Sequence, residues 1–279
     1  MTITARQLAD AVEHLVPPGR PVMVHSSMRS FARPVEGGAA TVLDALLRAG
    51  RTVLVPSFSW SHCAVRAPAG MRPDRNGVAY QDGPDSSDGP AGVPYTTDRG
   101  LIDADMGALP ATLVARDGAH RGDHPVCSFA AAGPEAAALA GAQNPADVYG
   151  PLRALAERGG TVLLLGVGLN RMTALHLAEQ RAGRRLFLRW ARAADGRTVM
   201  VEAGGCSEGF PRLAPVLRPY GRTVSVGASR WTAYPAEEAL AAAAAAIAAD
   251  PEATRCADPG CLHCRDAVAG GPTGTFPLG

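Results

Sequence analysis

The sequence predicts an α/β protein with a mainly parallel central sheet and helices on its faces. Three observations carry that reading. Short apolar runs at 22–24, 52–55 and 161–165 have strand length, segments with helical spacing lie between them, and Gly or Pro marks the junctions. The chain of 279 residues can bury a substantial core without disulfides and is read as one domain, 1–279. Two parts stand apart within it: a surface excursion at 61–105 and a cysteine-bearing tail at 251–279.

In chain order, apolar residues at helical spacing make 5–15 a helix, which Pro17, Pro18 and Gly19 must end. Val22, Met23 and Val24 read as a buried strand that delivers His25, Ser26 and Ser27 at its carboxyl end. Gly37 and Gly38 precede a helix over 41–48, and a second buried strand at 52–55 is closed by Pro56. Such a β-loop-α-β unit binds ligands beyond the carboxyl ends of its strands. Residues 61–105 are rich in Gly, Pro, Ser and Asp and lack periodicity. There Asp82, Asp85, Asp88, Asp98, Asp103 and Asp105 lie beside a single nearby Arg99, a pattern that fits either a solvated turn-rich face or a wall for a cation.

Regular structure resumes with a helix at 108–115, a strand segment at 129–131 and a helix at 152–158 stopped by Gly159 and Gly160. Residues 161–165 are the clearest strand, central by composition. Gly166 and Gly168 follow, then a helix over 173–182 with Thr173 near its N-cap. Residues 198–201 form a strand, with 189–191 as a hairpin partner across Asp195 and Gly196. Pro235 opens the last long helix, 236–249, which carries Glu237 and Glu238 in its first turn and is closed by Asp250 and Pro251.

Composition excludes several chemistries. A net charge of +1 supplies no bulk field for nucleic acid or anionic lipid. All 27 basic residues are Arg, so a lysine Schiff base, a lysine general base and a Walker phosphate loop are ruled out. The start lacks a basic and apolar leader, and no apolar run approaches the roughly 18 residues of a membrane span. A cytoplasmic enzyme without nucleic-acid or membrane partners, monomeric or homodimeric, is the expectation. Six Cys without a secretory signal point to free thiols or a metal site.

The sharpest constellation is Thr173, His176 and Glu179, spaced by three on one helix face just after the central strand. A neutral His can take a proton from an amine or thiol, and a neighbouring carboxylate holds its tautomer and steadies the imidazolium. The same spacing also suits a surface pair, and spacing alone does not separate the two. Which carboxylate orients the histidine, Glu179 or the more distant Glu202, is open at this point.

His25, Ser26 and Ser27, with Arg29 and the Gly37-Gly38 pair, form a second group whose hydroxyls and backbone N–H groups suit phosphate or amide groups of a cofactor. A serine nucleophile would want a G-x-S-x-G elbow, which is missing, and Gly166-x-Gly168 is an incomplete dinucleotide fingerprint. Arg121 and His124 bracket Pro125, where they could clamp an anion or stabilise the turn. Cys206, Cys256, Cys261 and Cys264 include a zinc-knuckle C-x-x-C and could complete a tetrahedral zinc site, or stay unligated in the tail. Cys63 and Cys127 read as packing residues.

The stretches VHSSMRSFARPVEGGAATVLDALLRAG, TVLVPSFSW, MGALPATL, RGDHPVCSFAAAGPEA and YGPLRALAERGGTVLLLGVGLNRMTALHLAE occur in order from about residue 20 to 182. Together they resemble the aminoglycoside 3-N-acetyltransferase family, and the C-terminal cysteines resemble its type four branch, which acetylates apramycin and gentamicin. The resemblance implies an antibiotic N-acetyltransferase fold, distinct from GNAT enzymes, and acetyl-CoA-dependent transfer to an aminoglycoside amine without an acyl-enzyme. It implies a catalytic set of His176 as base, Glu179 as its carboxylate and Thr173 lining the thioester end. It also implies coenzyme A contacts at His25, Ser26, Ser27, Arg121 and Ser128, and acceptor contacts at Asp103 and Asp105 in the acidic excursion. The chain departs from the family pattern at Ala111, where an acidic residue is usual, and at Arg121-Gly122-Asp123-His124-Pro125. An acyltransferase of a biosynthetic pathway, acting on a different amine, is the alternative.

Overall fold

The computed structural model describes residues 2–80, 92–98 and 100–274. Helix α1 (Ala5–Leu15) begins with a capping box: the Gln7 N–H donates to Thr4 Oγ1 at 3.3 Å, and the Thr4 N–H donates to Gln7 Oε1 at 2.9 Å. Strand β1 (Pro21–Ser26), helix α2 (Gly38–Leu47) and strand β2 (Thr52–Pro56) follow, the two strands where the apolar pattern places them. Helix α2 starts three residues before the expected position because Gly37, with φ +64, turns the chain into it.

The excursion is less irregular than its composition suggests. It contains the one-turn helix α3 (Trp60–Cys63) and strand β3 (Ala64–Val65), since Cys63 and Ala64 are buried and supply apolar surface that must be covered. Asp82, Asp85, Asp88 and Arg99 lie outside the described residues.

Next come α4 (Ala108–Val114), β4 (His120–Arg121), β5 (Phe129–Ala132), α5 (Ala136–Ala140), α6 (Gly150–Glu157), β6 (Thr161–Leu165) and α7 (Ala174–Arg181). Strands β7 (Phe187–Arg192) and β8 (Thr198–Ala203) form the hairpin expected across Asp195 and Gly196. The chain ends with α8 (Ala214–Leu217), β9 (Arg222–Val226), β10 (Ser229–Pro235), α9 (Ala236–Ala249) and α10 (Leu262–Val268).

Seven strands make the main sheet in the order β4-β5-β2-β1-β6-β10-β9. Its centre, β2-β1-β6, is parallel, with Met23 opposite both Leu54 and Val162. The strands added on both sides run antiparallel. A second, antiparallel sheet has the order β3-β7-β8.

Period-two alternation divides the core into two layers. Val22, Val24, Val53, Val55, Leu163 and Leu165 pack with α1, α2 and α4 on one face. Met23, Leu54, Val162 and Leu164 pack with α5, α6, α7 and α9 on the other. The alanine face of α9, with Ala239 and Ala243 fully buried, lets it pack closely against α7, and Arg181 reaches Glu237 with bonds of 3.0 and 2.9 Å. Among the described residues no helix is long and apolar enough to cross a membrane.

Candidate active site

A cleft of about 1110 Å³ opens beyond the carboxyl ends of the parallel strands. Its walls include His25 and Ser26 at the end of β1 with Ser27 after it, Pro56 at the end of β2 with Phe58 after it, and Gly166 to Gly168 after β6. That is where an open α/β sheet leaves exposed backbone between diverging connections. Pockets for a single drug-sized ligand run to about 300–1,000 Å³, so this is a large ligand cleft.

Helix α7 starts at the floor of the cleft. The Thr173 N–H donates to Arg171 O at 3.0 Å and to His25 Nε2 at 3.3 Å, which ties the start of α7 to the end of β1. Burial, with Arg171 nearby, drives the His25 imidazole down to about 3, so it is neutral and serves here as an acceptor. One turn on, His176 contributes to the cleft wall although only 6% of its surface is exposed.

His176 Nδ1 lies 2.7 Å from Glu179 Oε2, both side chains being buried. With an ionised carboxylate, the neutral imidazole must donate from Nδ1, which leaves the Nε2 lone pair as the basic position. Burial pushes the Glu179 carboxyl up, but the His176 bond, the Arg184 guanidinium and the Thr254 hydroxyl outweigh it and hold the group below the ordinary carboxylate value. Tyr149 stacks nearly parallel to the His176 ring, at 8°, and Phe210 meets it edge-on with centroids 4.7 Å apart. Gly204 closes the packing: a Cβ there would fall 2.4 Å from the Tyr149 hydroxyl and 2.7 Å from a His176 ring carbon. Only a glycine lets the chain leaving β8 pass this close.

Behind the dyad, the Sγ atoms of Cys206, Cys256, Cys261 and Cys264 all lie within 4.8 Å of one another. Cys206 follows the Gly204-Gly205 pair, and the other three come from the tail leading into α10. These four sulfurs could hold a metal ion.

The family model for aminoglycoside 3-N-acetyltransferase matches residues 23–248, a span that includes the cleft strands, α7 and the dyad. The chain belongs to that family. Aminoglycoside N(3)-acetyltransferase III of Salmonella sp is 37% identical over 183 residues, 63% of this chain and 60% of that enzyme's length. Aminoglycoside N(3)-acetyltransferase VIII of Streptomyces fradiae is 32% identical over 254 residues, 86% of this chain and 82% of the relative. Among solved structures, a mutant of aminoglycoside acetyltransferase AAC(3)-IVa in complex with a gentamicin superposes with a TM-score of 0.76 at 26% identity, covering 97% of this chain and 98% of that one.

Within this family member the fold brings His25, Ser26, Ser27, Asp103, Asp105, Thr173 and His176 to one cleft, with Glu179 directly behind. Glu179, rather than Glu202, orients the histidine. Asp103 is committed to structure as well: its carboxylate accepts the Trp60 N–H at 2.8 Å and the Ser61 N–H at 3.0 Å, capping α3. Asp105 is exposed on the cleft wall.

Arg121 and Ser128 are placed differently from their expected contact with coenzyme A, since neither lines the cleft. Arg121 Nε donates to Ser128 Oγ at 2.9 Å, and its NH2 group donates to Leu101 O at 2.6 Å. Ser128 Oγ donates to Ser57 O at 2.7 Å, so the two side chains brace the loop after β2 from behind. His124 stabilises its turn: Nδ1 accepts the Cys127 N–H at 3.0 Å, and Nε2 donates to Glu202 O at 2.8 Å.

Sequence reading missed Tyr149, Gly204, Phe210, Arg184 and Thr254. A signal exists only for Tyr149, which precedes the Gly150-Pro151 helix start within a family stretch. The others lie outside the sequence stretches that carry the resemblance and have ordinary local contexts.

Proposed function

We propose that this protein transfers the acetyl group of acetyl-CoA to an amine of an aminoglycoside, the 3-amino group, and thereby confers resistance to that antibiotic. One observation carries the reading: an imidazole on the wall of a large cleft at the carboxyl ends of the parallel strands, its Nδ1 held by a buried carboxylate and its Nε2 left basic. The Streptomyces relative, aligned over most of both chains, carries that activity in its name. The AAC(3)-IVa relative, crystallised with a gentamicin as a histidine-to-alanine mutant, supports the substrate class and the type four likeness.

The acceptor nitrogen attacks the thioester carbonyl while His176 Nε2 takes its proton, forming the C–N bond and a tetrahedral oxyanion. The Thr173 hydroxyl, at the head of α7 on the cleft wall, is suited to steady that oxyanion. Collapse breaks the C–S bond, and the leaving thiolate recovers the proton from the imidazolium. The amide and free coenzyme A are the products, with no covalent enzyme intermediate.

Ser26 and Ser27 offer hydroxyls and backbone to the pantetheine amides, and Arg29 and Arg171 supply positive charge on the same walls for phosphate groups. Arg121 and Ser128 act indirectly, by holding the loop after β2. Asp105, with the fixed charge of Asp103, gives a cationic aminosugar a complementary surface.

The four cysteines fit a structural zinc. Zn–S bonds of about 2.3 Å place tetrahedral sulfurs about 3.8 Å apart, and an all-thiol donor set favours that ion. When bound, the ion would supply a cross-link between the chain after β8 and the tail.

The test is to incubate the purified protein with acetyl-CoA and a panel of aminoglycosides while following free thiol. Acceptor-dependent release is expected. Binding of coenzyme A with no release from any panel member would transfer the assignment to a different amine.

A further inference from the structure

We propose that Thr254, on the strap between α9 and α10, is a positioning residue for the catalytic base. It acts by fixing the direction in which Glu179 presents its carboxylate to His176. This rests on the reading of His176 as the base.

Each Glu179 oxygen has its own partner. Oε2 faces His176 Nδ1, while Oε1 accepts the Thr254 hydroxyl at 2.9 Å and an Arg184 N–H. The Thr254 Oγ1 in turn accepts from Arg184 NH1 at 2.6 Å, so its single proton is directed to Glu179. Arg184 contributes to the carboxylate's negative charge being held, but its NH1 group is shared between Glu179 and Thr254 and does not by itself set the carboxylate plane. With the hydroxyl removed, Oε1 keeps only the guanidinium as partner, the carboxylate plane is free to turn about that contact, and Oε2 leaves its line to the imidazole.

The strap is built to hold the hydroxyl in place. Thr254 is 3% exposed. Arg184 NH2 bonds Pro251 O on its N-terminal side, and Arg212 NH1 donates to Arg255 O at 3.2 Å on the other. Gly209 lies flush against it: a Cβ there would come within 2.0 Å of Thr254 O. Two residues later, Cys256 enters the cysteine cluster. Thr254 falls beyond residue 248, where the family match ends, so this contact is made by a part of the chain that the match does not cover.

The experiment compares Thr254→Val, which keeps the shape and removes the hydroxyl, with Thr254→Ser, which keeps the hydroxyl, in the full chain. Thr254→Val is expected to lower kcat about tenfold, the worth of one hydrogen bond to a charged group, with KM for acetyl-CoA unchanged. Thr254→Ser is expected to restore most of the loss. Unchanged kcat in the valine variant, or a serine variant as slow as the valine one, would overturn the proposal.

A second readout is independent of turnover. The Nδ1–H proton of His176, bonded to a carboxylate, is expected as a downfield proton NMR resonance that disappears in His176→Ala. It should move or broaden in Thr254→Val and persist in Thr254→Ser; an unmoved resonance in the valine variant also overturns the proposal. If the wild-type protein acetylates no aminoglycoside, the functional reading fails, and the resonance alone decides the role of Thr254.

Discussion

The two ring nitrogens of His176 differ: Nδ1 is spent on Glu179, and Nε2 is the position to which the proposed reaction assigns the proton transfer. Truncation to His176→Ala should therefore cut kcat by about 10²-fold or more while the dissociation constant for coenzyme A stays the same. Glu179→Gln should also lower kcat, by about tenfold or more, because the amide carries no charge to steady the imidazolium and leaves Arg184 facing a neutral group. Steady-state kinetics with a coenzyme A titration check both. Full activity in His176→Ala would remove this residue from the reaction. The i+3 spacing of His176 and Glu179 was visible in the sequence because α7 forms from local periodicity. Their burial was not, since it depends on Tyr149, Phe210 and Gly204, which come from three other segments.

Among the elements, β1, β2, β6, α7 and α9 were legible because apolar alternation or helical spacing is strong in each. The hairpin β9 to β10 was not. Arg222, Thr223 and Ser225 are exposed on an edge strand, so half of its pattern looks like loop. The direction of β5 and β10 was equally hidden, since a strand's own residues do not encode whether its neighbour runs parallel or antiparallel.

The tail is an element held by its partners. Helix α10 has seven residues, too few to be stable alone, and its Cys264 is buried in the cluster. Protein purified without added metal should contain one zinc per chain. Cys264→Ser should lose that zinc and lower the melting temperature, because metal binding contributes directly to folding. Metal analysis and a thermal melt test this, and an absence of stoichiometric zinc would refute the site.

At the scale of the molecule, buried titratable groups set how stability responds to pH. Burial, chiefly, drives His25 to about 3 and His124 to about 4, from an ordinary imidazole value of 6.5. Below pH 6.5 the unfolded chain takes up protons there that the folded chain refuses, so stability falls as the solution is acidified toward pH 3. Glu179, held low in the folded state, adds a loss of the same sign. Glu202 opposes them: burial and Asp147 raise it to about 7, so its contribution is present in acid and is lost as the pH rises through 7. Two histidines against one carboxyl leave a net acid-side loss below pH 6.5. Thermal melts across roughly pH 4–8 should show a falling melting temperature on the acid side, with a shallower slope in His124→Gln; a flat profile would contradict the assignment.

The strands β1, β2 and β6, the helices α7 and α9, and the spacing of His176 and Glu179 along α7 were determined by the sequence itself, because each follows from residues close together in the chain. The antiparallel edges, the retreat of Arg121 and Ser128 behind the cleft wall, and the closure of the dyad by Arg184 and Thr254 were decided only by the tertiary structure. Thr254 lies 75 positions from Glu179, and a hydrogen bond across that separation exists only once α7 and α9 have packed side by side and the strap after α9 has reached Glu179.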